Sequence, residues 1–250
     1  RILRAVRFAS QLDFEIERNT LAAMKEKSAL LKHISTERIR DEFVKTITAR
    51  NGGKGLRLFL ETGAMSYILG EACMKSVSEK EFERLALLAE TIDRTDPEPR
   101  FRLSLVYRCF DRERAFCAVE RLGYSNEMKK LLHSAVNLPG ELDGIRDKAE
   151  LKRFINGTGW GLYGYLTDLE AQRRLLGETD EEAVRCREAL LEEIESGDEP
   201  VLLKELAVDG NDLKAAMALK GPEIGRMLNL LLDEVHIDPE KNQKSRLLAI

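Results

Sequence analysis

The sequence predicts an all-α fold, an irregular array of helices packed as three small domains, and three observations predict it. Apolar residues recur at three- and four-residue spacing in ten separate segments. No stretch alternates apolar and polar residues for long enough, between turn formers, to read as a strand. Glycine- and proline-rich breaks separate the periodic segments, and no fixed-period repeat or low-complexity tract points to a regular solenoid.

In chain order, residues 1–12 form the first periodic segment, with Ile2, Ala5, Val6 and Ala9 as its apolar stripe. Segments 17–31 and 35–50 come next, the second with Ser35 in an N-cap position, and Asn51-Gly52-Gly53 ends that run. Segment 78–93 precedes the break Asp96-Pro97-Glu98-Pro99. Segments 111–122 and 125–137 lead to a break from Leu138-Pro139-Gly140 through Gly144. Segments 147–156, 161–176 and 181–196 then run to the break Gly197-Asp198-Glu199-Pro200. Segment 223–236 opens after Gly221-Pro222, a strong helix start because proline at the first helical position lacks only an N–H that would be unpaired anyway. Domain edges fall near 63 and 160, which gives domains 1–63, 64–160 and 161–250.

Composition narrows the function classes. The hydrophobic fraction of 43% and charged fraction of 34% are those of a globular chain, and no apolar run approaches the roughly 20 residues that a membrane helix requires. Cys73, Cys109, Cys117 and Cys186 include no Cys-x-x-Cys pair, so they read as reduced core residues in a cytoplasmic protein. Arg1 is not Met and opens directly into an amphipathic segment, so the true N-terminus is expected upstream. The net charge of -4 argues against a general nucleic-acid glue. Its distribution is uneven: residues 1–57 hold 13 Lys and Arg against 7 Asp and Glu, and the remainder 27 against 37. An anionic ligand should meet the N-terminal quarter.

The catalytic inventory is short. His33, His133 and His236 precede Ile, Ser and Ile, so no His-Asp pair of a metal phosphohydrolase exists, and no Asp-x-Asp, Walker loop or nucleophile elbow is present. Two acidic clusters, Glu79, Glu81, Glu83 and Glu192, Glu193, Glu195, read as solvated helix faces, and no metal ligand is assigned.

The most informative segment is Arg1-Ile-Leu-Arg-Ala-Val-Arg-Phe8, where Arg1, Arg4 and Arg7 recur every third residue. Like charges so spaced destabilise an isolated helix, so the row calls either for acids from elsewhere in the fold or for an anionic ligand. Arginine's planar fork can satisfy a phosphate or a base edge with two hydrogen bonds. In Ser35-Thr-Glu-Arg-Ile-Arg-Asp-Glu42, Arg38 and Glu42 stand at i and i+4, the spacing of an intrahelical ion pair. Near the far end, Lys220 and Arg226 flank the Gly221-Pro222 helix start, whose free N–H groups can receive an RNA phosphate or simply cap a core helix.

These strings resemble the class II tRNA nucleotidyltransferases (CCA-adding enzymes) and their bacterial poly(A) polymerase relatives. Arg1-Ile-Leu-Arg-Ala-Val-Arg-Phe8 looks like the start of that family's neck helix, which comes after a Glu-Asp-x-x-Arg motif whose arginine and aspartate read the incoming base. The resemblance makes Arg1 and Arg4 nucleotide-binding residues, with Arg7, Arg38 and Glu42 as their support. Glu205-Leu-Ala-Val-Asp-Gly-Asn-Asp-Leu213, Gly221-Pro-Glu-Ile-Gly-Arg-Met-Leu228 and Asn242 resemble the family's tail. Arg102-Leu-Ser-Leu-Val-Tyr107 and Arg121-Leu-Gly-Tyr-Ser-Asn126 sit where the body carries similar strings. The resemblance thus implies a neck over 1–63, a body over 64–160 and an RNA-binding tail over 161–250.

By the same resemblance the parent enzyme adds CCA, or A alone, to tRNA or another RNA 3′ end, using Mg2+ with ATP or CTP. Its catalytic head would lie upstream, leaving these residues without catalytic groups, inactive alone and binding no cofactor by themselves. Arg173 and Arg174 are further candidate RNA contacts, and Trp160, Tyr163 and Tyr165 either stack on unpaired bases or pack internally. The competing expectation is a noncatalytic helical scaffold whose partner is a protein.

Overall fold

A computed structural model of the chain describes residues 1–75, 77–217 and 221–249, and they contain helices and turns but no strand. The helices are α1 (Ile2–Leu12), α2 (Arg18–Lys27), α3 (Thr36–Ile47), α4 (Gly52–Glu61), α5 (Ala64–Leu69), α6 (Glu71–Met74), α7 (Glu79–Thr91), α8 (Pro99–Arg108) and α9 (Arg112–Arg121). They continue with α10 (Asn126–Asn137), α11 (Pro139–Asp143), α12 (Lys148–Thr158), α13 (Trp160–Leu175), α14 (Glu181–Ser196), α15 (Gly210–Met217), α16 (Pro222–Ile237) and α17 (Lys244–Leu247). The all-α expectation is borne out, and each of the ten periodic segments contains a helix.

Local chemistry explains most of the helix starts. Side chains of Glu17, Ser78, Asp111, Ser125, Asp147 and Asp180 accept backbone N–H groups in the first turns of α2, α7, α9, α10, α12 and α14. Pro99 and Pro222 occupy first-turn positions of α8 and α16. Ser35 does stand at the N-cap of α3, but its hydroxyl makes no capping hydrogen bond. The 17–31 segment is α-helical only to Lys27, after which a tighter 3-10 turn runs from Ser28 to His33.

Packing gathers the described residues into two compact units: one from residues 1–139 with 167–178, the other from 140–166 with 179–250. In the first unit α1 packs on α3 and α4, α4 on α7, and α8 on α10 and α3. The first sixty residues therefore share a core with α7 and α8. The buried stripe of α1 is Leu3, Val6, Ala9 and Ser10, one residue around the helix from the expected Ile2, Ala5, Val6 and Ala9. Ile39, Phe43 and Ile47 of α3 and Leu56 and Phe59 of α4 face it, and the rings of Phe43 and Phe59 lie 5.9 Å apart.

Asn51-Gly52-Gly53, a break by its composition, is instead the start of α4. Its glycines let backbones touch, which periodicity cannot reveal. A Cβ at Gly52 would lie 2.2 Å from the Ile47 carbonyl oxygen, at Gly53 2.2 Å from that of Ala89, and at Gly55 2.2 Å from the Thr46 methyl and 2.3 Å from the Ser10 hydroxyl. No side chain fits there.

Arg102 locks this arrangement. Only 2% exposed, its Nη1 donates to the carbonyls of Ile47 (2.7 Å) and Ala49 (2.8 Å) at the end of α3, and Nη2 donates to that of Thr95 (3.0 Å). Burial lowers its pKa from the usual arginine value, opposed by Asp93 and Asp96. Asp93 also accepts the Gly53 N–H at 3.1 Å, so one charged pair serves both the end of α3 and the start of α4.

The structure corrects two expectations from the sequence. Glu81 is not on a solvated face: 4% exposed, it accepts hydrogen bonds from the Ser78 and Asp111 N–H groups, the Ser78 hydroxyl and Arg114. Burial alone would raise its pKa, but these donors overcome it and hold the carboxyl at about 2. The cysteines are not all reduced, since Cys73 and Cys117 form a disulfide with Cα atoms 5.7 Å apart. The two are 44 residues apart and meet only because α6 packs on α9, so no local spacing signals the pair. Cys109 keeps its thiol, which burial pushes up to about 12, and Cys186 is also free.

In the second unit α12 packs on α14 and α16, and Val208, Leu213, Ile224, Leu231, Val235 and Leu247 form the core under α15 to α17. Lys152 is fully buried, paired with Glu199 and 3.3 Å from the His236 carbonyl oxygen. The His236 Nε2 faces the Val201 carbonyl at 2.9 Å, and burial holds the ring's pKa below 6.5.

Gly55→Ala and Gly53→Ala should each cost about 1–3 kcal/mol of stability in urea unfolding, whereas Gly157→Ala, where nothing lies within 4 Å, should be neutral or stabilising by up to about 1 kcal/mol. Because the Glu81 pKa is depressed when folded, its contribution is fully present above about 4.5 and lost as pH falls toward 2. Melting temperatures of Glu81→Gln should therefore fall less steeply with acid across that window than those of the parent chain.

Candidate nucleotide and RNA interface

The site forms where the first turns of α1 meet the outward face of α3. Burying Leu3, Val6 and Ala9 fixes the rotation of α1, and this sends its three arginines to different fates. Arg7 turns toward α3, its Nε 2.8 Å from Glu42 Oε2 and its Nη1 2.8 Å from Gln11 Oε1. Its side chain and that of Glu42 are 15% and 20% exposed. Arg1 and Arg4 are exposed and make no ion pair among the described residues.

Arg1 and Arg4 instead line a depression of about 160 Å³, whose far wall carries Arg38, Asp41, Glu42 and Lys45 of α3. Leu3, Leu31 and Ile34 supply its apolar part. The expected Arg38–Glu42 intrahelical pair does not form, because Glu42 is taken by Arg7 from the neighbouring helix. Of the residues expected from the sequence to bind or support a nucleotide, Arg1, Arg4, Arg38 and Glu42 line this depression, and Arg7 stands behind it holding Glu42.

Charge in the depression is unbalanced. Its two acids are already engaged, Glu42 by Arg7 and Asp41 by Arg40, whose Nη2 lies 3.1 Å from Asp41 Oδ1. Arg1, Arg4, Arg38 and Lys45 carry no ion pair among the described residues, so four cations converge without local counter-charge. Of the other cations in the N-terminal quarter, Lys54 pairs with Asp13 and Glu15, Lys25 with Glu61, and Arg57 donates to the Ala89 carbonyl, while Arg18, Lys27, Lys32 and Arg50 are exposed singly outside the depression. Such a cluster attracts anions, and its arginine forks suit phosphate oxygens or the acceptor edge of a base. Lys45 and Asp41 were not singled out from the sequence. Lys45 comes seven residues after Arg38, two helical turns, and that spacing was the available signal.

The other expected contacts fall in different settings. Arg173 is 8% exposed and its Nη2 donates to the Glu178 carbonyl at 2.9 Å, which leaves only Arg174 of that pair exposed. Arg226 is exposed on α16, and Lys220 lies outside the described residues. Tyr163 and Tyr165 are buried, with Tyr163 edge-on to Phe154 and Trp160, so the aromatic cluster is internal packing apart from Trp160, which is 39% exposed. Several residues of the family-like strings tie backbone segments together. Glu205 accepts the N–H groups of Val201 and Leu202, Asn242 bridges the Ala207 N–H and the Glu205 carbonyl, and Arg121 holds the Ile68 carbonyl at 2.6 Å.

Among the described residues no group of three or more His, Cys, Asp and Glu side chains is placed to hold a metal ion. Nor is any helix among them long and apolar enough to cross a membrane.

Residues 13–74, which include the α3 wall of the depression, match the family described as "Probable RNA and SrmB- binding site of polymerase A". The chain is 30% identical over 260 residues to a CCA-adding enzyme of Lacticaseibacillus paracasei, covering all of this chain and 57% of that protein. It is 29% identical over 233 residues to a CCA-adding enzyme of Streptococcus mutans, covering 92% of this chain and 53% of the relative. To a CCA-adding enzyme of Enterococcus faecalis it is 52% identical over 67 residues, 27% of this chain and 16% of that one. The chain thus spans little more than half the length of the relatives that it matches end to end. Likeness along the whole chain to CCA-adding enzymes, together with the match across α2 to α6, supports the family of CCA-adding enzymes and poly(A) polymerases.

Proposed function

We propose that these residues recognise the nucleotide and hold the RNA in a template-independent RNA nucleotidyltransferase that adds CCA, or A, to tRNA or another RNA 3′ end. The observation that carries this reading is the convergence of Arg1, Arg4, Arg38 and Lys45 on one depression whose acids are neutralised from outside it. In this reading Arg1 and Arg4 face ATP or CTP. Arg38 adds charge from the opposite wall, and Arg7 with Glu42 holds α1 against α3 so that the spacing between the walls is kept. Residues 1–63 then act as a neck, 64–160 as a body and 161–250 as a tail, with exposed Arg174 and Arg226 toward the RNA backbone.

In such a transfer the RNA 3′ hydroxyl attacks the α-phosphate of the nucleotide and pyrophosphate leaves. Magnesium would neutralise the charge that develops on the phosphates. The described residues do not fit a magnesium site, so the metal would be held elsewhere in the protein. The chemistry belongs, on this proposal, to a catalytic lobe of the same protein outside these 250 residues, and the cytoplasm is where its RNA substrates would be met. What supports a separate lobe is that the chain spans little more than half of its relatives.

A second reading, a noncatalytic scaffold that docks a protein, is favoured by one observation. Phe8, Leu12 and Phe14, on and just beyond α1, are 39%, 55% and 58% exposed. The two readings separate by binding.

The 250-residue chain should bind ATP or CTP in titration calorimetry with an affinity that falls as salt rises. Arg4→Ala with Arg38→Ala should weaken that binding by about tenfold or more, while melting within a few degrees of the parent chain, because both side chains are exposed and outside any ion pair among the described residues. No nucleotide binding at any salt concentration, or binding indifferent to the double substitution, would sink the proposal. Incorporation of labelled nucleotide into tRNA by this chain alone should be absent.

A further inference from the structure

We propose that a groove on the other side of Lys45 holds an unpaired base at the 3′ end of the RNA. This inference rests on the nucleotide reading above and adds to it a place for the second substrate. The groove has a volume of about 500 Å³ and lies between α3, α8 and α10. That is within the roughly 300–1,000 Å³ common for small-ligand sites. Its surface is mainly apolar, from Val44, Pro99, Leu103, Tyr124 and Met128.

Two residues, Asp41 and Lys45, line both this groove and the arginine depression, so the two hollows share one wall. Ligands in them would be neighbours, as a reaction that joins a nucleotide to an RNA end requires. The negative charge on the shared wall is neutralised and held, since Asp41 pairs with Arg40, and Arg40 Nη1 donates to the Gly123 carbonyl at 2.7 Å. Lys45 is exposed, without an ion pair among the described residues, and a phosphate between the two hollows is the partner its charge suits.

The chemistry of the groove selects the kind of ligand. Aliphatic, proline and thioether surfaces pack against the flat face of any base without reading its edge. The Ser125 hydroxyl at its margin already accepts the Met128 N–H at 3.2 Å. The groove therefore suits a base of any identity, attached to a phosphate, and does not by itself choose among bases. An apolar peptide segment would satisfy the floor but leave Lys45 without a counter-charge.

The test uses the whole 250-residue chain with two probes, ATP and a short single-stranded RNA carrying 5-iodouridine as its 3′-terminal residue. Irradiation of the unaltered chain should attach the RNA to the peptide that contains Tyr124 and Met128. Met128→Glu should weaken RNA binding about tenfold, the loss of one packed base, and leave ATP affinity unchanged. Met128→Ala, which keeps the surface neutral, should weaken it less, and Lys45→Glu should weaken both ligands. Crosslinks confined to other segments would overturn the groove, as would RNA binding unaffected by Met128→Glu, or absent while ATP still binds. Loss of ATP binding through Arg4→Ala with Arg38→Ala would leave the nucleotide reading standing in each of those cases. A chain that binds neither ATP nor RNA would overturn both.

Discussion

The buried guanidinium of Arg102 is the interaction on which the first unit depends. It satisfies three carbonyls at once, two at the C-terminal end of α3 and one in the turn before α8, and its charge is met by Asp93. Carbonyls at a helix end have no partner within the helix, and leaving one buried and unpaired costs about 1–3 kcal/mol. Asp93 in turn fixes the first turn of α4 through the Gly53 N–H. The clamp works only because α4 carries glycines where it crosses Ile47, Ala89 and Ser10. Close backbone approach and a buried cation are thus one device, and it holds the C-terminal end of α3, two residues beyond Lys45 of the depression.

That fixed α3 sets the electrostatics of the surface. Two carboxylates on the helix face would cancel half of the positive charge nearby if they were left alone. Arg7 and Arg40 remove them from the sum, one from α1 and one from the same helix anchored to the Gly123 carbonyl. Exposed ion pairs are worth little as stabilisation, about 0–1 kcal/mol. Their effect here is to decide which cations remain available to an anion. The pairing of Arg7 with Glu42 also ties α1 to α3 beside the depression.

The second unit uses the same physics away from any ligand. Lys152 is fully buried yet paired with Glu199, and burial lowers the pKa of His236, opposed by the Val201 carbonyl that its Nε2 faces. The strings there that resemble the family's tail supply caps and bridges: Glu205 on Val201 and Leu202, and Asn242 on both Ala207 and Glu205. A motif in that region therefore marks how the loops are tied, and Arg226 of α16 is exposed.

The helical class, ten of the helices and the basic character of the N-terminal quarter were determined by local properties: apolar periodicity, capping residues and charge counts act within a few residues of themselves. The arginine row and the Arg38–Glu42 spacing were legible for the same reason. Tertiary structure alone decided which partner each charge takes. Glu42 reaches Arg7 across 35 residues, Glu81 is buried by the start of α9, and Cys73 meets Cys117 across 44. It also turned an apparent glycine break into a helix, because the signal there is the backbone of other helices lying within 2.2 Å of where a side chain would stand. Contacts between distant segments arise from how whole helices pack, and no window of sequence contains both halves of such a contact.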